Sequence, residues 1–378
     1  MSTRSLLPSL GWPVASGLLI ALIAILAFPS LRPAPLRPGN EGPTATTQTQ
    51  VISYADAVDR AAPAVVSIYT RKIQEQRPHP LESHPFLRRF FQNSPNQQQE
   101  RTALGSGVIV DERGYLLTNE HVIKDAEEIV VLLYDGRETR ARLVGTDPES
   151  DLAVLKIELD NLSVIKVPEP TQARIGDIVL AIGNPFGVGQ TVTQGILSAT
   201  GRYNLNLSEY ENFLQTDAAV NIGNSGGALV DIHGQLLGIN TAIYGEGNTN
   251  VGISFAIPAD SAMRTLRQII DHGRVVRGWL GIEVRPLSTD QASDIALNST
   301  SGVLVMAVDP SSPAERAGLR QGDILTHIDG ESVGNGRRGM NQIAATSPGT
   351  AVTLSVQRQG ERLNLETVIG ERNSPSRP

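Results

Sequence analysis

The stretch VNIGNSGGAL, Val220–Leu229, holds one hydroxyl, Ser225, among three glycines. It reads in two ways. Gly-Asn-Ser-Gly-Gly makes a tight turn between two strands. It also makes a loop that presents Ser225 as a nucleophile. Backbone N–H groups can converge on a developing oxyanion only with unusual dihedrals and little side-chain bulk, which glycine supplies. The choice depends on whether the rest of the chain offers Ser225 a base and a carboxylate.

A serine hydroxyl needs a base within hydrogen-bond reach, usually a histidine oriented by a carboxylate. There are six histidines. His79 and His84 fall in a Pro- and Gln-rich insert, and His233 lies in an Asp-Ile-His-Gly turn leading away from Ser225. His272 ends a helical pattern, where the dipole favours an imidazolium, and His327 belongs to a later unit. His121, in YLLTNEHVI, ends a strand of the same unit as Ser225; the competing reading is a hydrogen-bonded core histidine. Among the carboxylates, Asp147 reads as a turn residue and Asp177 carries no distinguishing signal. Asp151 opens the apolar strand DLAVLKI, where an ionised group is costly without a partner. Asp217, in LQTDAAV, is its rival and is able to brace the loop before Ser225.

Between Leu104 and Ile257, short apolar runs recur with turn signals and almost no helical period, the pattern of an all-β barrel or sandwich. ADSAMRTLRQIIDHG, Ala259–Gly273, is the first long amphipathic helix and ends on a glycine suited to a C-cap. After it, about 95 residues read as a small α+β unit. A length of 378 residues suits two domains. The net charge of −7 and pI near 5.5 argue against nucleic acid as a partner. The absence of cysteine removes disulfides, thiolate metal sites and cysteine nucleophiles. GVGQTVTQG and GEGNTNVG open no helix and read as loops rather than phosphate cradles. No cofactor or metal is expected. Trp12–Pro29 carries no charge and is about the shortest length that spans a bilayer. With no Ala-x-Ala site after it, an uncleaved signal anchor is expected.

TNEHVI, SDLAVLKI and GNSGGAL, in that order, resemble the HtrA (Deg) branch of the chymotrypsin-like serine proteases, and the likeness covers about Tyr54–Ile369. It implies a mainly β fold: two six-stranded barrels forming a chymotrypsin-like protease domain, then a small α+β PDZ-like domain, all behind an N-terminal transmembrane helix. It implies His121, Asp151 and Ser225 as the triad, and so decides for Asp151 over Asp217. The oxyanion donors are read as the Gly223, Asn224 and Ser225 backbone. One anchor, one PDZ-like domain and Ala228 after the Gly-Gly resemble the membrane-anchored stress sensors of the family. The implied division is a cytoplasmic stretch 1–11, an anchor 12–29, a linker 30–50, a protease domain 51–273 with a mobile loop 74–101, a PDZ domain 274–370, and a disordered tail 371–378.

In PDZ-like domains a short loop offers N–H groups to a peptide's terminal carboxylate while the peptide adds a strand. The matching stretch is Gly278, Trp279, Leu280, Gly281 and Ile282, with Arg277 assisting the carboxylate and the Met340–Ile343 helix forming the other wall. By resemblance Arg202 relays signals to the active-site loops, and Phe186 stands where some sensors carry Tyr. Ile222 departs from the Pro, His or Arg common before Gly-Asn-Ser. The implied activity is serine endopeptidase, activated by C-terminal peptides of unfolded outer-membrane or envelope proteins. The implied substrate is an anti-sigma factor, cut on the periplasmic side of the bacterial inner membrane, and the implied assembly is a homotrimer. Alternatives are a general quality-control protease and a non-catalytic peptide-binding adaptor, for which Ile222 is the hint.

Overall fold

The computed structural model describes residues 53–72, 101–168, 173–184, 189–243, 252–287, 302–334 and 336–372, with six helical positions between 16 and 27. The chain divides into two compact units, Met1–Ile52 and Ser53–Pro378. Most of the apolar segment 12–29, residues 74–100 of the expected mobile loop 74–101, and Phe186 lie outside the described residues, while Arg101, the last residue of that loop, is in a strand. Among those described, no helix is long and apolar enough to cross a membrane.

The larger unit opens with helix α1 (Ala55–Ala61) and β1 (Val65–Lys72). Then come β2 (Arg101–Ile109), β3 (Tyr115–Thr118), the single-turn α2 (Glu120–Ile123), β4 (Glu128–Leu132), β5 (Glu138–Arg140), β6 (Arg142–Asp147) and β7 (Leu152–Lys156). These pair antiparallel in the order β5-β4-β1-β2-β3-β7-β6, a seven-stranded sheet rather than the expected six-stranded barrel. The extra strand arises at Ala141. One stretch of chain bends there, so that β5 pairs with β4 and β6 with β7, and the two ends of the sheet are joined covalently. β7 is flanked on both sides, and Leu152–Leu155 are all buried. A continuous apolar run suits such a position better than alternation.

The second sheet is a closed six-stranded barrel in the order β10-β13-β12-β11-β8-β9. Its strands are β8 (Ile178–Gly183), β9 (Thr191–Arg202), β10 (Phe213–Thr216), β11 (Ala228–Val230), β12 (Leu236–Ile243) and β13 (Ser254–Pro258). Helix α3 (Ala259–His272) lays Ala262, Leu266 and Ile269, spaced by four and three, against both sheets. It stops at Gly273, whose φ of +71° lets its N–H cap the Ile269 carbonyl. One core therefore unites the two sheets, with Leu117 and Val154 from the first and Ile182, Val230 and Ile239 from the second. This shared core holds side chains from different sheets in one frame.

After α3, β14 (Gly278–Trp279) is followed by β15 (Ile282–Pro286), β16 (Val303–Val308), helix α4 (Pro313–Arg316) and β17 (Ile324–Ile328). Next are β18 (Glu331–Ser332), helix α5 (Gly336–Ala345), β19 (Ala351–Arg358), β20 (Glu361–Val368) and β21 (Gly370–Glu371). The main order is β15-β16-β17-β19-β20, with β15 at an edge. Glu371 and Arg372, expected at the start of a disordered tail, are ordered. Glu371 pairs with Gly278, and the Arg372 N–H donates to the Arg277 carbonyl, so ladder bonds carry the order through 372.

Inside this last domain the Arg358 guanidinium forks onto both carboxylate oxygens of Asp323 at 2.7 Å. Asp323 is 2% exposed and otherwise accepts the Arg320 N–H. Arg358→Ala leaves that buried carboxylate without its countercharge, so we expect a loss of about 3 kcal/mol by urea unfolding. A loss below about 1 kcal/mol would place the pair in the solvent-screened class.

Candidate active site

The first half of the site is built where β3 runs into α2. Asn119 Nδ2 and the Glu120 N–H both donate to the Asp151 carbonyl, at 2.9 and 3.3 Å, and the His121 N–H donates to Asp151 Oδ1 at 3.1 Å. The two main-chain segments are thus pinned to each other independently of the imidazole. Asp151 has φ +56°, a left-handed conformation that Asp tolerates better than most residues, at the mouth of β7. Its carboxylate lies 2.8 and 2.9 Å from His121 Nδ1. An ionised carboxylate only accepts, so Nδ1 carries the proton and Nε2 is left as an acceptor.

The second half comes from the closed barrel. Thr241, on β12, donates its hydroxyl to Asp151 Oδ2 at 2.6 Å, while its carbonyl accepts the Ser225 hydroxyl at 3.2 Å. One threonine therefore touches the carboxylate by its side chain and the serine by its main chain. Nothing in GINTAI distinguished this residue from any other strand threonine. The Ser225 proton points at Thr241 here, so transfer to His121 requires the hydroxyl to turn away from that carbonyl.

The rival groups are engaged elsewhere. Asp217 Oδ1 accepts the Ile196 N–H at 2.7 Å and braces the loop before Ser225. Asp177 accepts the Arg174 N–H, the His233 N–H closes a turn onto Asp231, and His327 Nδ1 meets Thr326 Oγ1 in the last domain. His79 and His84 lie outside the described residues.

In the glycine run the φ angles are +100° at Gly223 and +83° at Gly226. The Asn224 N–H donates to the Asn221 carbonyl at 2.9 Å, which corrects the expectation that three N–H groups face the nucleophile. A turn hydrogen bond satisfies Asn224 locally and points its N–H away. Among the described residues, no acceptor takes the N–H of Gly223 or of Ser225. Ile222 stands 51% exposed beside them. Arg202 Nε donates to Gln215 Oε1 at 2.7 Å and ties β9 to β10.

Some 710 Å³ of groove runs between β15 and α5, lined by Leu280, Ile282, Met340 and Ile343 and, from the protease side, by Glu209 and Tyr210. Gly281 has φ +80°, and its carbonyl accepts the Asp309 N–H. At Gly278 a Cβ would meet the Ile343 and Thr346 carbonyls at 2.2 and 2.4 Å, so this glycine lets the strand approach the end of α5. Trp279 pairs with Gly370.

Arg277 departs from its expected place. Its guanidinium donates to Asp147 at 2.6 Å, lies 3.0 Å from Glu149 and stacks 4.4 Å from the Tyr210 ring centroid. Two nearby carboxylates hold it, and Asp147, 2% exposed, is an interdomain partner as well as a turn residue. Arg372 completes the cluster, 2.6 Å from Glu209 and hydrogen-bonded to the Tyr210 hydroxyl. Burial pushes the Glu149 carboxyl up against the opposing pull of Arg277, and burial likewise raises the Tyr210 hydroxyl.

A carboxylate-held imidazole, a serine on a glycine-rich turn, two β sheets around one core and a peptide-sized groove define a trypsin-like serine endopeptidase joined to a PDZ domain. Residues 105–239 match the trypsin-like peptidase domain and 278–369 the PDZ domain. Serine endoprotease DegS of Escherichia coli is 43% identical over 362 residues, 95% of this chain and 96% of that one. The periplasmic pH-dependent serine endoprotease DegQ of Escherichia coli is 42% identical over 332 residues, 87% of this chain and 72% of that one. Among solved structures, the HtrA-type protease AlgW with a tripeptide is 49% identical at a TM-score of 0.71, covering 85% of this chain and 98% of that one. AlgW with a decapeptide is 51% identical at 0.69, covering 86% and 100%. The chain belongs to the HtrA-type serine endoproteases.

Proposed function

We propose that this chain is a periplasmic, DegS-like endopeptidase switched on by C-terminal peptides of misfolded envelope proteins, cleaving a membrane-bound anti-sigma factor as a homotrimer. Residues 12–29 anchor it in the inner membrane as a single span; an uncharged helix of that length reaches about 27 Å. The observation that carries the sensor reading is the groove beside α5, where Glu209 and Tyr210 of the protease share the lining with Leu280, Met340 and Ile343. An occupant therefore touches both domains, and it can shift the protease only by binding one of its states more tightly.

In the reaction, His121 Nε2 takes the Ser225 hydroxyl proton as Oγ attacks the scissile carbonyl. Asp151 and its Thr241 bond hold the imidazole as the Nδ1–H tautomer and stabilise the imidazolium. The Gly223 and Ser225 N–H groups receive the oxyanion. The imidazolium then returns its proton to the leaving amine, and water, activated by the same base, releases the acyl group.

The test is fluorophosphonate labelling of the full chain with a decapeptide ending in phenylalanine, offered as free acid or as amide. The free acid raises the labelling rate and the amide does not. Met340→Asp, placing a charge on the groove wall, abolishes the difference, and Ser225→Ala abolishes labelling. Equal rates with both peptides overturn the sensor reading, and absence of labelling throughout overturns the endopeptidase reading. General periplasmic quality control is the second reading, and it predicts casein degradation without any peptide.

A further inference from the structure

Ser106 is wholly buried on β2, in the sheet that carries His121 and Asp151. Its hydroxyl donates to the Gly223 carbonyl at 2.7 Å and accepts the Asn184 N–H at 3.0 Å. Its own N–H donates to the Ser225 carbonyl at 2.8 Å, and its carbonyl accepts the Thr118 hydroxyl at 2.7 Å. Every polar group of this residue is thus used. Two of the bonds cross from the first sheet to the nucleophile loop.

The geometry points to Ser106 as a positioning residue that sets the direction of the Ser225 N–H, the donor that would meet the oxyanion. The Gly223 carbonyl belongs to the peptide plane shared with Asn224, and the Ser225 carbonyl to the plane shared with Gly226. Between them lies the plane that carries the Ser225 N–H, whose Asn224 carbonyl accepts the Gly227 N–H at 2.9 Å; Ser106 grips both flanking planes, and the middle one keeps little freedom. The Asn224 bond to Asn221 holds the first plane from its other edge. The hydroxyl alone reaches Gly223. A methyl group there would free that carbonyl, and the plane next to it, while leaving the Ser106 N–H bond intact.

Asn184 extends the brace. Its N–H fixes the rotation of the Ser106 hydroxyl so that the proton faces Gly223, and its own side chain bonds Ser67 Oγ at 2.7 Å and the Gly189 N–H at 2.9 Å. The hydroxyl is therefore a splice between β1, β2, the turn after β8 and the nucleophile loop. Misaimed oxyanion donors lower kcat without weakening ground-state binding, because the oxyanion exists only along the reaction coordinate.

This inference rests on the endopeptidase reading above, and the experiment separates the two. Wild type, Ser106→Ala and Ser106→Cys are compared on fluorogenic casein with the phenylalanine-ended decapeptide, with active sites titrated by a fluorophosphonate. Cysteine keeps the volume with a weak donor, so it separates the lost hydrogen bond from the void. Expected is a fall of about 10- to 100-fold in kcat per titrated site for both variants, with KM within about twofold. A merely structural role lowers the titratable fraction and leaves kcat per site unchanged, and that result overturns the proposal. So does a cysteine variant at the wild-type rate. A wild type that neither cleaves nor labels overturns the endopeptidase reading instead.

Discussion

Asp151→Asn is expected to lower kcat by about 10⁴-fold with the fold intact. The Asp151 carboxylate accepts three donors, the His121 N–H, the His121 Nδ1–H and the Thr241 hydroxyl. An amide offers one acceptor atom and one NH₂ group in the same space. If the oxygen keeps the His121 main-chain N–H, the NH₂ faces Thr241 and the imidazole. The imidazole then answers with an unprotonated Nδ1, its proton moves to Nε2, and the base toward Ser225 is lost. The check is kcat at neutral and alkaline pH on casein, beside circular dichroism to show retained structure. A loss of less than tenfold would mean that another group orients His121. Thr241 adds an internal control, because its hydroxyl can reverse direction and accept from the new amide, which predicts little change in stability.

Gly226→Ala should be severely damaging, because a Cβ here comes nearer to a neighbouring atom than at almost any other glycine among the described residues. Its Cβ would stand 2.1 Å from the Ser106 carbonyl oxygen and 2.4 Å from Thr118 Oγ1, at a φ of +83°. Neither neighbour can yield. The Ser106 carbonyl belongs to a strand residue whose own N–H bonds the nucleophile loop, and Thr118 is buried and bonded to that same carbonyl. Relief requires about 1 Å of movement by the Ser225 loop, and displacements of that size cost roughly 100-fold in rate. Strain and lost bonds together should also remove about 3–5 kcal/mol of stability. Gly136→Ala is the matched comparison: its φ is +88° but a Cβ there meets nothing within 4 Å. It should cost about 1–2 kcal/mol through the backbone alone, with wild-type turnover per active site. If the two glycines behave alike in a thermal and kinetic comparison, crowding against Ser106 is not what makes Gly226 necessary.

Part of this site is legible in the sequence. His121 could be named because five other histidines had reasons to be elsewhere, and Asp151 because its strand is too apolar to leave a carboxylate alone. The motif order then decided against Asp217, which turned out to hold Ile196. Helix α3 and its glycine cap were readable because a 3.6-residue period and an αL terminus are local properties. The partners of Arg277 were not legible, for the opposite reason. Its neighbours in sequence suggested a carboxylate loop, while the partners that hold it, Asp147 and Glu149, lie about 130 residues away.

The chain alone determined which reactive groups exist, their order, and the period of the elements that carry them, because each is set by residues adjacent in sequence. Tertiary structure decided where the protons point. The Ser225 hydroxyl faces Thr241, the Asn224 N–H is spent on a turn, and Ser106 reaches Gly223 across 117 residues. A hydrogen bond depends on tenths of an ångström between groups on different sheets. That distance is fixed only when the shared core closes and brings both sheets into one frame.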